Sequence, residues 1–153
     1  MKRFEGKVAV VTGAGGTLCS AIAESLGKEG AVLYLVGRTA EKLEKVAEKI
    51  RANGGAAHVF AADVTSEKDM KALAEKMEQE GNLCDYLING AGGNNQKAMP
   101  TLTSFDPREM TSSLPEGEKG IYDIDMEAFE SVLHINTMGT VIPTLIFAKQ
   151  MTR

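Results

Sequence analysis

Cysteine is scarce: Cys19 and Cys84 are the only two in 153 residues, and their spacing suits neither a metal site nor a disulfide framework. Histidine is equally sparse. His58 falls in an apolar run and His134 in a helical pattern, neither near a cysteine or paired carboxylates, so no metal centre is expected. No charge of one sign dominates, with 17 Lys and Arg against 21 Asp and Glu for a net charge of −4. The basic residues are scattered along helical stretches, which argues against a nucleic-acid partner. Uninterrupted apolar runs stay short of the roughly 20 residues a membrane-spanning helix needs. The opening residues, Met1 to Gly6, lead into a short strand without the apolar core or cleavage site of a signal peptide. No membrane partner and a reducing, cytoplasmic location are the expectations.

What remains is ordinary globular composition, 43% hydrophobic and 25% charged, in a length that suits a single domain over residues 1–153. Lys7 to Thr12 (KVAVVT) reads as a buried parallel strand, broken by Gly13-Ala14-Gly15-Gly16. Leu18, Ile22 and Leu26 then recur at helical spacing until Gly30. Ala31–Val36 is a second strand. Thr39 is placed to cap a helix whose inner stripe is Leu43, Val46, Ala47 and Ile50. Ala56–Ala62 is a third strand, Ser66 with Asp69 makes a capping box for the next helix, and Asp85–Asn89 is a fourth strand. Strand and helix thus alternate with short connections, the pattern of a parallel sheet covered on both faces. The fold expected is α/β, a Rossmann-type doubly wound sheet in three layers with strands one to four present.

Residues 94–123 break this rhythm, with Pro100, Pro107 and Pro115 and no sustained period, and form an irregular insert. Asp125 then caps a long helix from Met126 to about Met151, interrupted at Pro143. No internal repeat or low-complexity tract is present.

A strand, a glycine-rich turn and a helix together make an anion site, because the first helical amides lack partners and the helix dipole is positive there. Thr12-Gly13-Ala14-Gly15-Gly16-Thr17-Leu18 has this form, although Leu18 occupies the place of the last glycine in GxGxxG. A tight connection that binds nothing is the alternative. Strand two ends Val36-Gly37-Arg38-Thr39, with an arginine where NAD-binding folds carry a ribose-binding carboxylate. A guanidinium there suits a 2′-phosphate, so NADP is favoured over NAD.

On these residues the sequence resembles the short-chain dehydrogenase/reductase family along its whole length. The family's TGxxxGxG motif appears as Thr12 to Cys19, with Thr17 and Cys19 in place of its second and third glycines. Thr17 could offer a hydroxyl to a phosphate, and Cys19 is small enough for close helix–strand packing. The resemblance implies further roles. Asp63-Val64 would flank the adenine ring. Asn89-Gly90-Ala91-Gly92 matches NNAG with glycine second; Asn89 would tie strands together, and Ala91 and Gly92 would leave room for the cofactor. Asn136 in Asn136-Thr137-Met138-Gly139 would support the catalytic lysine through water.

Within the family, GAGGTLCS, GAGGNNQKA, the insert and DIDMEAFESVLHINTMGTVIPTLIFAKQM look like the D-mannonate oxidoreductase (fructuronate reductase) branch. That implies hydride transfer between a nicotinamide cofactor and a keto-sugar acid such as D-fructuronate, in a protein that is commonly a homo-oligomer. Lys97 could meet the substrate carboxylate, although a solvent-facing loop lysine is the favoured reading. The family's chemistry needs a serine, a tyrosine and a lysine four residues beyond it. The three tyrosines, Tyr34, Tyr86 and Tyr122, are followed at that distance by Arg38, Gly90 and Met126. The chain is therefore expected to bind cofactor without turnover, as a truncated form, and to self-associate through the open edge of strand four. A non-catalytic NADP(H)-binding module and a 3-oxoacyl or sugar-alcohol reductase are the alternatives.

Overall fold

The β-branched run that begins the chain favours an extended strand, and Gly13, at φ 65°, ends it by turning through the left-handed region that other residues avoid. The computed structural model describes residues 2–111 and 113–153; Met1 and Ser112 lie outside it. Its elements run β1 Val8–Thr12, α1 Thr17–Lys28, β2 Val32–Gly37, α2 Ala40–Ala52, β3 Ala56–Ala61, α3 Glu67–Gln79, β4 Tyr86–Ile88 and α4 Met126–Met151.

The strands are parallel in the order β3-β2-β1-β4. Val10 stands beside Tyr34 and Leu87, and Tyr34 beside His58. The chain moves outward through β2 and β3, then crosses back over β1 to place β4 on its other side. The carboxyl ends of β1 and β4 therefore diverge into connections on opposite sides, the switch point where open α/β sheets leave a crevice.

Strand alternation sorts the core into two layers. Ala9, Val11, Leu33 and Leu35 face α1 and α2, where they meet Ala23, Leu43, Val46, Ala47 and Ile50. Val8, Val10, Tyr34 and Val36 face α3 and α4, where they meet Met70, Leu73, Met77 and Phe147. Helices on both faces of a parallel sheet give the three-layer Rossmann-type fold expected.

The structure corrects several local expectations. The side chain of Thr39 makes no cap hydrogen bond. Ser66 does cap α3, accepting from the Asp69 amide at 3.2 Å, but the Asp69 carboxylate turns instead to the Asp63 amide at 3.2 Å, so the capping box is half formed. Pro143 does not interrupt α4, which continues unbroken to Met151. Proline removes one donor and presses on the carbonyl four residues earlier; here that residue is Gly139, and the ring is buried.

By length and composition α4 could cross a bilayer: its most apolar 18-residue window has a mean hydropathy of 1.4. The expectation of no such stretch, read from uninterrupted runs, missed it because isolated polar residues such as Asn136 and Thr140 break the run without lowering the average much. Only 17% of that window is buried, and Leu133 and Leu145 are exposed.

The insert is irregular but ordered, with short 3-10 turns at Gln96–Ala98, Pro107–Thr111 and Ile121–Asp123. The buried carboxylate of Glu109 draws it together by accepting from the Asp106 amide at 2.9 Å and the Ile121 amide at 2.7 Å. Thr101 closes the neck, its amide donating to the Lys119 carbonyl at 3.0 Å and its hydroxyl accepting from the Lys119 amide at 2.8 Å.

Candidate functional site

The glycine turn is shaped by what surrounds it. A Cβ on Gly13 would lie 2.5 Å from the Gly90 carbonyl oxygen, and one on Gly15 would lie 3.0 Å from the Lys42 Cβ. The Gly16 amide donates back to the Gly13 carbonyl at 2.9 Å, which tightens the turn just before α1. No side chain caps that helix and no acidic residue stands in its first turn, so its positive end faces outward unneutralised.

Thr12, fully buried, links the two sides of the switch point. Its hydroxyl accepts from the amides of Gly90 at 3.1 Å and Ala91 at 3.2 Å. Between these sides opens a cavity of about 320 Å³ at the carboxyl ends of the strands. Gly13, Gly15, Gly16, Arg38, Asp63, Val64, Ala91 and Gly92, all expected at a cofactor site, line it together.

Four others do not. Thr17 and Leu18 are exposed and outside the lining, Leu18 being 73% exposed. Asn89 donates to the Thr144 hydroxyl at 2.9 Å and so ties β4 to α4 rather than strand to strand. Asn136 grips the backbone of Gly93: its Nδ2 donates to the Gly93 carbonyl at 2.7 Å, and its Oδ1 accepts from the Gly93 amide at 3.3 Å. It fixes the residue that follows the cavity-lining Gly92. Lys97 is exposed and also outside the lining.

Sequence reasoning missed Lys42 and Ile135, which line the cavity. Lys42 stands in the first turn of α2, close in sequence to Arg38, and both line the rim. Among the described residues no salt bridge engages Arg38 or Lys42. Across the cavity, hydrogen bonds from the Thr65 amide at 2.9 Å and hydroxyl at 2.8 Å hold the Asp63 carboxyl below its ordinary value, with a smaller contribution from Arg38. The rim therefore carries two free cations and one carboxylate that is already hydrogen-bonded.

Burial pushes the thiol of Cys19 up, and that of Cys84 up to about 11, so both are neutral thiols. Tyr34 is buried and gives its hydroxyl to Glu80 at 2.5 Å, with its ring stacked on His58. Tyr86 packs edge-on against Phe4, and Tyr122 lies exposed in the insert. No tyrosine lines the cavity. Among the described residues no group of three or more His, Cys, Asp or Glu could hold a metal ion.

The family model for short chain dehydrogenases matches residues 7–153. The chain belongs to the short chain dehydrogenase family. It is 36% identical over 150 residues to an oxidoreductase of uncharacterised activity from Haemophilus influenzae, covering 97% of this chain and 50% of that protein. Among solved structures it resembles one described as a candidate D-mannonate oxidoreductase from Haemophilus influenza with bound NAD. The TM-score is 0.88 at 35% identity, over 96% of this chain and 51% of that one. It also resembles a metagenomic short-chain oxidoreductase in complex with NADP, with a TM-score of 0.71 at 30% identity over 97% of this chain and 57% of that one. The chain spans about half the length of the curated relatives it matches.

Proposed function

We propose that this chain is the NADP-binding part of a short-chain oxidoreductase that acts on a keto-sugar acid such as D-fructuronate or D-mannonate. The observation that carries the cofactor reading is the rim of the cavity, where Arg38 and Lys42 stand free beside a glycine turn and an uncapped helix end. The residues fit the group. Gly13, Gly15 and Gly16 leave the space a side chain would fill, so a pyrophosphate can approach the amides at the start of α1. Arg38 and Lys42 would hold a 2′-phosphate, Asp63 and Val64 would flank the adenine, and Ala91 and Gly92 would admit the rest. When bound, the dinucleotide supplies or accepts a hydride. This chain's residues bind and orient it, and Asn136 keeps the Gly92-Gly93 wall in place.

Both nucleotides occur among the similar structures, NAD in the first and NADP in the second. NADP is preferred here because strand two ends in cations rather than a carboxylate. The sugar-acid substrate, a homo-oligomeric state and a cytoplasmic location are supported by the resemblance of the motifs and insert to the D-mannonate oxidoreductase branch. Turnover by this chain alone is not expected, since it contains no Tyr-x-x-x-Lys. A second reading is a nucleotide-binding module without turnover; no tyrosine lines the cavity.

Fluorescence titration of the chain with NADPH and with NADH tests the proposal. NADPH should bind more tightly, and Arg38→Ala should weaken NADPH about tenfold while leaving NADH within about twofold, as loss of a charge-assisted hydrogen bond requires. Equal affinity for both nucleotides, unchanged by Arg38→Ala, would remove the NADP assignment.

A further inference from the structure

Two departures from the family motifs, Cys19 where the first motif has glycine and Gly90 where NNAG has asparagine, are distant in sequence but meet in the fold. A Cβ built on Gly90 would fall inside the Cys19 Sγ and 3.1 Å from the Thr12 carbonyl oxygen. Gly90 is not among the glycines with positive φ, so lack of space, not backbone conformation, excludes a side chain. Cys19 is 5% exposed, in the first turn of the helix that follows the glycine turn.

Gly90 is held on its other sides as well. Its amide donates to the Thr12 hydroxyl at 3.1 Å, and its carbonyl oxygen would lie 2.5 Å from a Cβ on Gly13. A methyl group at 90 does not fit beside the Cys19 sulfur where it stands: it must turn the Sγ to another rotamer or shift α1 or the Ala91-Gly92 wall, and the Thr12 carbonyl must also give slightly.

We propose that Cys19 and Gly90 are a compensating positioning pair, in which the cysteine sulfur fills the space the missing side chain leaves and sets the gap between the glycine turn and the Ala91-Gly92 wall. Nucleotide affinity then depends on the combined volume at 19 and 90, not on either residue alone. The proposal rests on the nucleotide-binding reading of this cavity. Close packing makes such pairs strongly non-additive.

The test is a double-mutant cycle on the full chain, read by NADPH titration and by melting temperature. Gly90→Ala is expected to weaken NADPH at least about tenfold, or to prevent folding, because one added methyl overpacks the contact. Adding Cys19→Gly to Gly90→Ala should restore binding to within about threefold of the unmodified chain and recover most of the lost melting temperature. Cys19→Gly alone should weaken binding less than Gly90→Ala does. Wild-type binding and melting in Gly90→Ala would overturn the proposal, as would a double variant no better than Gly90→Ala alone. If the unmodified chain binds neither nucleotide, the reading of the cavity fails and with it the effect on affinity, while recovery of the melting temperature still decides whether the two residues pack as a pair.

Discussion

β1 and β4 are hydrogen-bonded neighbours held in place by different means. All five residues of β1 are buried, and both its faces are covered by helices. β4 has three residues, ends the sheet, and leaves Tyr86 41% exposed. Its position depends on a few polar contacts at its two ends. Asp85, just before β4, accepts from the Val8 amide and from Lys7 Nζ, both at 2.8 Å. The Cys84 amide donates to the buried Gln150 side chain at 3.0 Å, and the Gly90 and Ala91 amides donate to Thr12. The centre of the sheet is fixed mainly by packing; the β4 edge, whose Leu87 and Ile88 are only partly buried against the two core layers, relies more on hydrogen bonds, and the residues that follow it form one wall of the cavity. A nucleotide cradle needs its β4 side only at the carboxyl end, which is where Thr12 and Cys19 reach it.

The contrast can be broken most severely in the centre. Leu35→Ala, at a fully buried position, is expected to cost about 2–5 kcal/mol in urea unfolding. Gln150→Leu tests the edge. It keeps the volume but leaves the buried Cys84 amide without its partner at 3.0 Å, a loss of about 1–3 kcal/mol, while the Ala74 carbonyl loses an extra donor but keeps its helical one. A Gln150→Leu variant as stable as the original would show that packing holds β4 after all.

A smaller effect lies on the acid side. The hydrogen bond from Lys7 holds the Asp85 carboxyl below its ordinary value, reinforced by the Val8 amide. The unfolded chain therefore takes up that proton at higher pH than the folded one. The stabilisation is complete above the ordinary carboxylate value of about 4 and is lost as pH falls through the lower folded value. Melting curves of Asp85→Asn should converge on those of the original protein as pH falls through that window. At the small end, Leu145→Ala, 65% exposed on α4, should change stability by no more than about 0.5 kcal/mol. The same face and the open β4 edge are expected to make the chain self-associate, so Leu145→Glu should lower its apparent mass in sedimentation at high concentration.

Much of this was legible because it is local. Alternation of short apolar runs with amphipathic stretches marks each strand and helix, and Gly13 to Gly16 and Arg38 stand where the turn and the end of β2 put them. Contacts between distant segments left no periodic signal. Cys19 against Gly90, Asn136 clasping Gly93 and Glu109 drawing together Asp106 and Ile121 depend on how the chain returns on itself. Thr17 and Leu18 were assigned by motif position, but in the first turn of α1 both are exposed and stand outside the cavity lining. Pro143 was read as a break because proline costs a hydrogen bond, yet one lost bond does not stop a helix of 26 residues.

Amide hydrogen exchange with and without NADPH tests most directly that the cradle is complete in this chain. Slowed exchange is expected to be confined to the glycine turn and first turn of α1, to residues 38–42, to 63–65 and to 90–93, with the exposed face of α4 unchanged. Protection spread mainly over β4 and α4, or none in the glycine turn at saturating nucleotide, would contradict it.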